Sequence, residues 1–432
     1  MKTITRFLLL PSLAAFLNTA AVVHALNLDF VTIGNPGNPN DTSTGYGDVS
    51  YEYEIGTYEV TLTQYTAFLN AVGATDTFGL YNPSMGTDLN IAGIARSGGD
   101  GSFTYSVIGS GNRPVTYVSW FDAARYCNWL HNRLPSGTQN ASTTEDGAYT
   151  LNGATSDGLA ISKNAVATYW IPSENEWYKA AYYQPTAAGG DSDGYWLYPT
   201  RSNSVPGNVI GTTANQANYY TTVYSVTQSD SYIGIQNYLT DRGAYSGSAS
   251  HYGTFDQGGN VWEWNDAVIG VVRGLRGNSW SVWPSATELQ SSHRGYSDPT
   301  YEVNYIGFRV ARLPDTDGDG IADQFETGTG IYVSPENTGT SPTNPDTDGD
   351  GLTDGAEVYT HQSSPNLRDT DGDGFEDGFE VSTGFSPTSA TSTPDALSSI
   401  RTAAEYRFNA ALGISYRIEA STDLANWQTI ET

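Results

Sequence analysis

Three twelve-residue stretches between residues 315 and 380 repeat one spacing of acids, and that spacing dictates how this part of the chain can fold. Asp315, Asp317, Asp319, Asp323 and Glu326 stand at positions 1, 3, 5, 9 and 12. Asp346, Asp348, Asp350, Asp354 and Glu357 repeat it, as do Asp369, Asp371, Asp373, Asp377 and Glu380. Each stretch has glycine at position 6 (Gly320, Gly351, Gly374), where the chain must turn sharply, and offers a backbone carbonyl at position 7 from Ile321, Leu352 or Phe375. Calcium takes about 6–8 hard oxygen ligands, and this spacing supplies them with a bidentate glutamate at the end. A solvated acidic linker is the plain alternative, but three full matches favour ion binding over it. Residues 313–387 hold 17 acids and one base, Arg368, which is −16 of the formal charge of −28. Such crowding is unfavourable without a cation, so the expected segment is loose alone and ordered with Ca2+.

The acidic balance, 47 acids against 19 Lys and Arg, gives no electrostatic help towards nucleic acid, and none is expected as a partner. Lys2 and Arg6 precede an apolar stretch, Phe7 to Val23, and Val23-His24-Ala25 offers small residues before a cut. Residues 1–25 therefore read as a signal peptide, and no later segment is apolar enough to span a bilayer. The expected location is secreted or at the cell surface, with the periplasm as a further compartment. One cysteine, Cys127, excludes an intrachain disulfide.

Residues 26–312 read as one mixed α+β domain, followed by the acidic repeats (313–387), a linker (388–402) and a short β segment (403–432). Apolar spacing predicts helices over Thr61–Val72, Ser119–Leu130 and Ser173–Tyr183, the last with a capping-box spacing from Ser173 to Glu176. Strands are expected at Tyr51–Ile55, at Val115–Val118 and near Gly307–Arg312, and in the tail at Tyr406–Ala411 and Ser415–Ala420.

The segments Ile171-Pro172-Ser173-Glu174-Asn175-Glu176-Trp177, Gly259-Asn260-Val261-Trp262-Glu263-Trp264, Arg276-Gly277-Asn278-Ser279-Trp280 and Gly307-Phe308-Arg309 occur in order. Together they resemble the formylglycine-generating enzyme, or sulfatase-modifying factor, family. The resemblance implies a variant of the C-type lectin fold with little regular secondary structure. Active members oxidise a sulfatase cysteine using copper held by two cysteines. Those positions fall here on Val282 and Thr287, so copper is not expected. Ser279, beside the oxygen-binding position in those relatives, is retained. The resemblance also implies a structural calcium held by Asp256 and Glu263 side chains with Gly259 and Val261 carbonyls; the competing reading gives Glu263 a buried ion pair or hydrogen bonds between Trp262 and Trp264. The acidic loops resemble thrombospondin type 3 and dockerin-like repeats, which act as spacers or display stalks.

Cys127 sits in an apolar helical pattern and reads as a core residue. His131, His251, His293 and His361 show no close pair in sequence. The expected function is a secreted, non-catalytic protein that binds a ligand or surface, with carbohydrate or a surface protein as partner. Two alternatives stand beside it. One is an oxidase of the formylglycine-generating type, or a divergent metal-dependent oxidoreductase acting on proteins; the other is a structural surface or matrix component.

Overall fold

A computed structural model describes residues 26, 28–281, 286–393, 418–420 and 428–431. The proposed signal peptide, Val282 and most of the tail, including Tyr406–Ala411, lie outside the described residues. The chain divides into two compact units, residues 1–316 with 322–324, and residues 317–321 with 325–432.

The larger unit is built on short strands: β1 (Phe30–Ile33), β2 (Tyr53–Gly56), β3 (Ile94–Ser97), β4 (Thr104–Val107), β5 (Tyr169–Trp170), β6 (Trp262–Ile269), β7 (Val272–Arg276), β8 (Gly295–Ser297), β9 (Ile306–Gly307) and β10 (Ala311–Arg312). One sheet has the order β1-β2-β10-β5 and another β8-β7-β6-β9, with β3 and β4 forming a separate hairpin. The architecture is mixed α+β with modest regular structure.

Three helices carry the apolar faces. They are α1 (Leu62–Val72), α2 (Trp120–His131) and α3 (Glu174–Tyr182). Each begins with a capping box, Thr61 with Gln64, Ser119 with Asp122 and Ser173 with Glu176, so free amides at each helix start are satisfied by local side chains. On α2, every residue from Trp120 to Leu130 is buried, including Cys127. Aromatic rings fill the space that short elements leave: Phe68, Tyr126 and Phe308 meet edge to face, with centroids 5.4 Å apart in both pairs.

Two strand expectations differ from the structure. Val115–Val118 is no strand, because Tyr117 adopts a left-handed φ of 58°, which breaks the extended run; an isolated bridge joins Thr61 to Pro114 instead. The closing segment serves two sheets rather than one. Ile306–Gly307 pairs in parallel with Trp262–Glu263, whereas Ala311–Arg312 pairs antiparallel with β2 and β5.

Four fully buried arginines do the work that a long ladder would do elsewhere. Arg125 pairs with Glu145 and donates to the carbonyl of Ala154. Arg273 pairs with Asp266 and donates to Gly158 and Ile161. Arg276 pairs with Glu174 and donates to Ser291 and His293. Arg309 grips both oxygens of Glu263, at 2.6 and 2.7 Å, and donates to the carbonyls of Gly56 and Phe255. Removing one partner of such a pair leaves a buried charge uncompensated. Arg309→Ala should therefore destabilise this unit by about 3–5 kcal/mol, and Arg309→Lys should fail to restore it, because an ammonium cannot span both oxygens and two carbonyls. Urea unfolding followed by tryptophan fluorescence measures both.

Candidate metal centres and a cleft

The second unit has few buried apolar side chains, and its local order comes from carboxylates. In the second and third loops the aspartate at position 1 folds the chain back on itself. Asp346 accepts from the amides of Gly349 and Gly351, and Asp369 from those of Gly372 and Gly374. The glycines at position 6 have φ of 95°, 100° and 99°, a left-handed turn that a side chain resists. The position-5 aspartates Asp350 and Asp373 accept from the amides of Leu352 and Phe375, which settles the backbone at position 7.

The position-9 aspartates have a role that the spacing alone did not reveal. Asp354 accepts from both the amide and the hydroxyl of Thr347, at 2.7 and 2.6 Å. Asp377 does the same with Thr370, and Asp323 with Thr316. This staple closes each loop from position 2 to position 9.

Within the second unit, carboxylate oxygens converge in four groups, each within 4.8 Å: Asp346/Asp348/Asp350, Asp369/Asp371/Asp373, Asp319/Glu326/Asp354 and Asp350/Glu357/Asp377. The last two join residues of different loops. The first loop crosses the division between the units: Asp317, Asp319, Ile321 and Glu326 belong to the second, and Asp315, 3.4 Å from Arg312, to the first with Asp323.

The position-12 glutamates combine burial with unsatisfied oxygens. Glu326, Glu357 and Glu380 are all buried. Among the described residues, Glu326 Oε2, Glu357 Oε2 and both oxygens of Glu380 have no hydrogen-bond partner. Burial and the neighbouring Asp319 and Asp317 push the Glu326 carboxyl up to about 8. Burial with Asp348 and Asp350 pushes Glu357 to about 9. Buried, orphaned carboxylate oxygens among aspartates are the donor chemistry of a hard divalent cation. No histidine joins a metal-type cluster among the described residues.

The larger unit treats its expected calcium residues differently. Both Glu263 oxygens accept from Arg309, and one also accepts from the Trp177 indole at 2.7 Å. The Arg309 guanidinium accounts for the buried charge of Glu263. Asp256 accepts from the Gly243 amide, Gly259 donates to the Gly277 carbonyl, and Val261 is packed in the core. Glu59 lies nearby, with Oε2 buried and unpartnered among the described residues while Oε1 accepts from Asn260.

A cleft of about 230 Å³ opens beside Ser279. Trp262, Tyr296, Tyr305 and His293 give it aromatic walls; Asn278, Ser281, Ser297 and Glu288 add polar groups. Trp262 and His293 lie 5.7 Å apart, centroid to centroid. Cys127 is elsewhere, on α2, where burial pushes its thiol well above the usual range and so disfavours the thiolate. No helix among the described residues is long and apolar enough to cross a membrane.

Comparison with known proteins follows this division of the chain. Residues 47–314, more than half of the sequence, match the sulfatase-modifying factor enzyme 1-like domain. Residues 315–330, 346–363 and 369–384 match the bacterial TSP3 repeat. No curated protein matches the chain. Among solved structures, CarF is 21% identical over 67% of this chain and 100% of its own, with a TM-score of 0.41. Treponema denticola variable protein 1 is 18% identical, covering 66% and 95%, with a TM-score of 0.34. PvdO from Pseudomonas aeruginosa is 18% identical, covering 66% and 91%, with a TM-score of 0.34. With its one cysteine buried on α2 and Val282 and Thr287 in place of the copper-binding pair, the chain belongs to the sulfatase-modifying factor enzyme 1-like family and carries TSP3 repeats after that domain.

Proposed function

We propose that this is a secreted, non-catalytic recognition protein whose lectin-like family domain binds a hydroxyl-rich ligand, a carbohydrate, in the cleft beside Ser279. The cleft carries this reading. Among the described residues, its lining pairs aromatic faces with hydroxyl and amide groups, includes a single carboxylate, Glu288, and contains no Lys or Arg to favour an anion. Aromatic rings cover the apolar faces of a sugar ring, while Asn278 and the serines meet its hydroxyls. Copper chemistry needs thiolates at the family positions, and Val and Thr side chains supply none. The acidic repeats act as a calcium-stabilised stalk, and the orphaned glutamate oxygens support calcium as their ion.

Two experiments test this. On a glycan array the full chain should bind a defined subset of glycans, and Tyr296→Ala, at a position 65% exposed and thus removable without a core cavity, should weaken that binding by about tenfold, or ~1.4 kcal/mol. Incubated with a sulfatase-derived cysteine peptide, copper and oxygen, it should form no aldehyde. A turnover-dependent aldehyde, or glycan binding indifferent to Tyr296, overturns the reading of the cleft. For the stalk, calcium should slow proteolysis between residues 313 and 387, and equal cleavage with calcium and with chelator would remove the ion from the account.

A further inference from the structure

We infer that the calcium sites of the first two repeats are shared, each of these two ions being completed by the position-9 aspartate of the loop that follows it. The inference rests on the reading of the repeats as calcium-binding and goes beyond it in assigning ligands across loops. Asp319 and Glu326 come from the first loop, yet the third carboxylate that converges with them is Asp354 of the second. One step along, Asp350 and Glu357 of the second loop converge with Asp377 of the third. The same three positions, 5, 12 and next-loop 9, recur in both, so the arrangement is a repeating device.

Each cluster contains a buried glutamate oxygen that nothing among the described residues satisfies. Glu326 is 4% exposed and Glu357 0%, and the Oε2 atom of each lacks a hydrogen-bond donor. Asp354 and Asp377 are also fully buried. Their oxygens accept from Thr347 and Thr370, but a carboxylate oxygen has a second lone pair and can accept a proton donor and face a cation together. One aspartate can therefore staple its own loop and complete the preceding ion site.

The glycines at position 10 support this docking independently. The Gly355 amide donates to Asp319 Oδ2 at 3.0 Å, and the Gly378 amide to Asp350 Oδ2 at 2.8 Å. A Cβ on Gly355 would lie 2.1 Å from the Asp319 carbonyl oxygen, and one on Gly378 2.4 Å from that of Asp350. Only glycine permits so close an approach. The first loop has no acidic loop before it, and its position 10 is Gln324. Glycine occurs where a preceding loop must be met and not where there is none.

If ions are shared in this way, damage at one loop is felt in the loop before it. The test is hydrogen exchange of the full chain across a calcium titration, with calcium binding measured calorimetrically in parallel. Asp354→Asn should weaken one calcium by roughly ten- to a hundredfold and release exchange protection in residues 317–326. Asp377→Asn should do so in residues 348–357. Thr347→Val, which removes the staple's hydroxyl and leaves the carboxylate, should spare protection in 317–326. Sharing is overturned if Asp354→Asn loses protection only in its own loop, 346–357, or if Thr347→Val reproduces its effect on the first loop. Those results would leave calcium binding itself standing, whereas a wild-type chain that takes up no calcium would remove both.

Discussion

Buried guanidiniums are the constraint on which the larger unit depends. Its strands are as short as two residues, so many buried carbonyls have no ladder partner, and each would be expensive to leave unmet. Arg125, Arg273, Arg276 and Arg309 answer this, each with one carboxylate and one or more carbonyls. The planar, five-donor fork is suited to the task, since one side chain can tie a charged partner and several backbone oxygens at once. Arg309 shows the reach of the device: it joins Glu263 on β6 to Gly56 at the end of β2, which lies in the other sheet. Glu176 works in a similar way from α3, capping Ser173 while accepting from Trp170 and Tyr51.

What could be read from sequence follows the range of the forces involved. The three helices and the Ser173–Glu176 box were legible because a cap and an apolar stripe are local. The acids at positions 1, 3, 5, 9 and 12 stand out in the sequence for the same reason. Val115–Val118 misled because β-branched composition hides a single left-handed residue, Tyr117. The partner of Glu263 was not legible: Arg309 lies 46 residues away and only the fold brings it near. Nor could the spacing show that position-9 acids meet the preceding loop. A signal existed in Gly355, Gly378 and Gln324, whose difference makes sense once the close approach is known.

The two units solve opposite problems of burial. In the larger one, apolar side chains and paired charges supply cohesion, with α2 buried almost throughout. In the second, carboxylates take a large share of the buried groups described: Asp354, Glu357, Asp377 and Glu380 are all fully enclosed. Like charges held together resist folding through repulsion and lost hydration, as the raised Glu326 and Glu357 carboxyls record. On the calcium reading proposed above, cohesion there depends on a cation, and removing the ion would remove the reason for the turns to persist.

That contrast bears on how the family scaffold persists without its cysteine pair. The segment leading towards Val282 is held by contacts that involve no thiol. The Ser279 amide donates to Asn278 Oδ1, the Trp280 indole donates to the Asn304 carbonyl, and the Trp280 ring stacks on Tyr238 with centroids 5.1 Å apart and planes 3° from parallel. Arg276, at the end of β7, is locked to Glu174 and to the carbonyls of Ser291 and His293. These ties fix the wall of the cleft through hydrogen bonds and stacking. A redox pair placed on such a wall can be lost at little structural cost, because the wall was never built on it. The concave surface and its aromatic lining remain, and the binding proposed above calls on those.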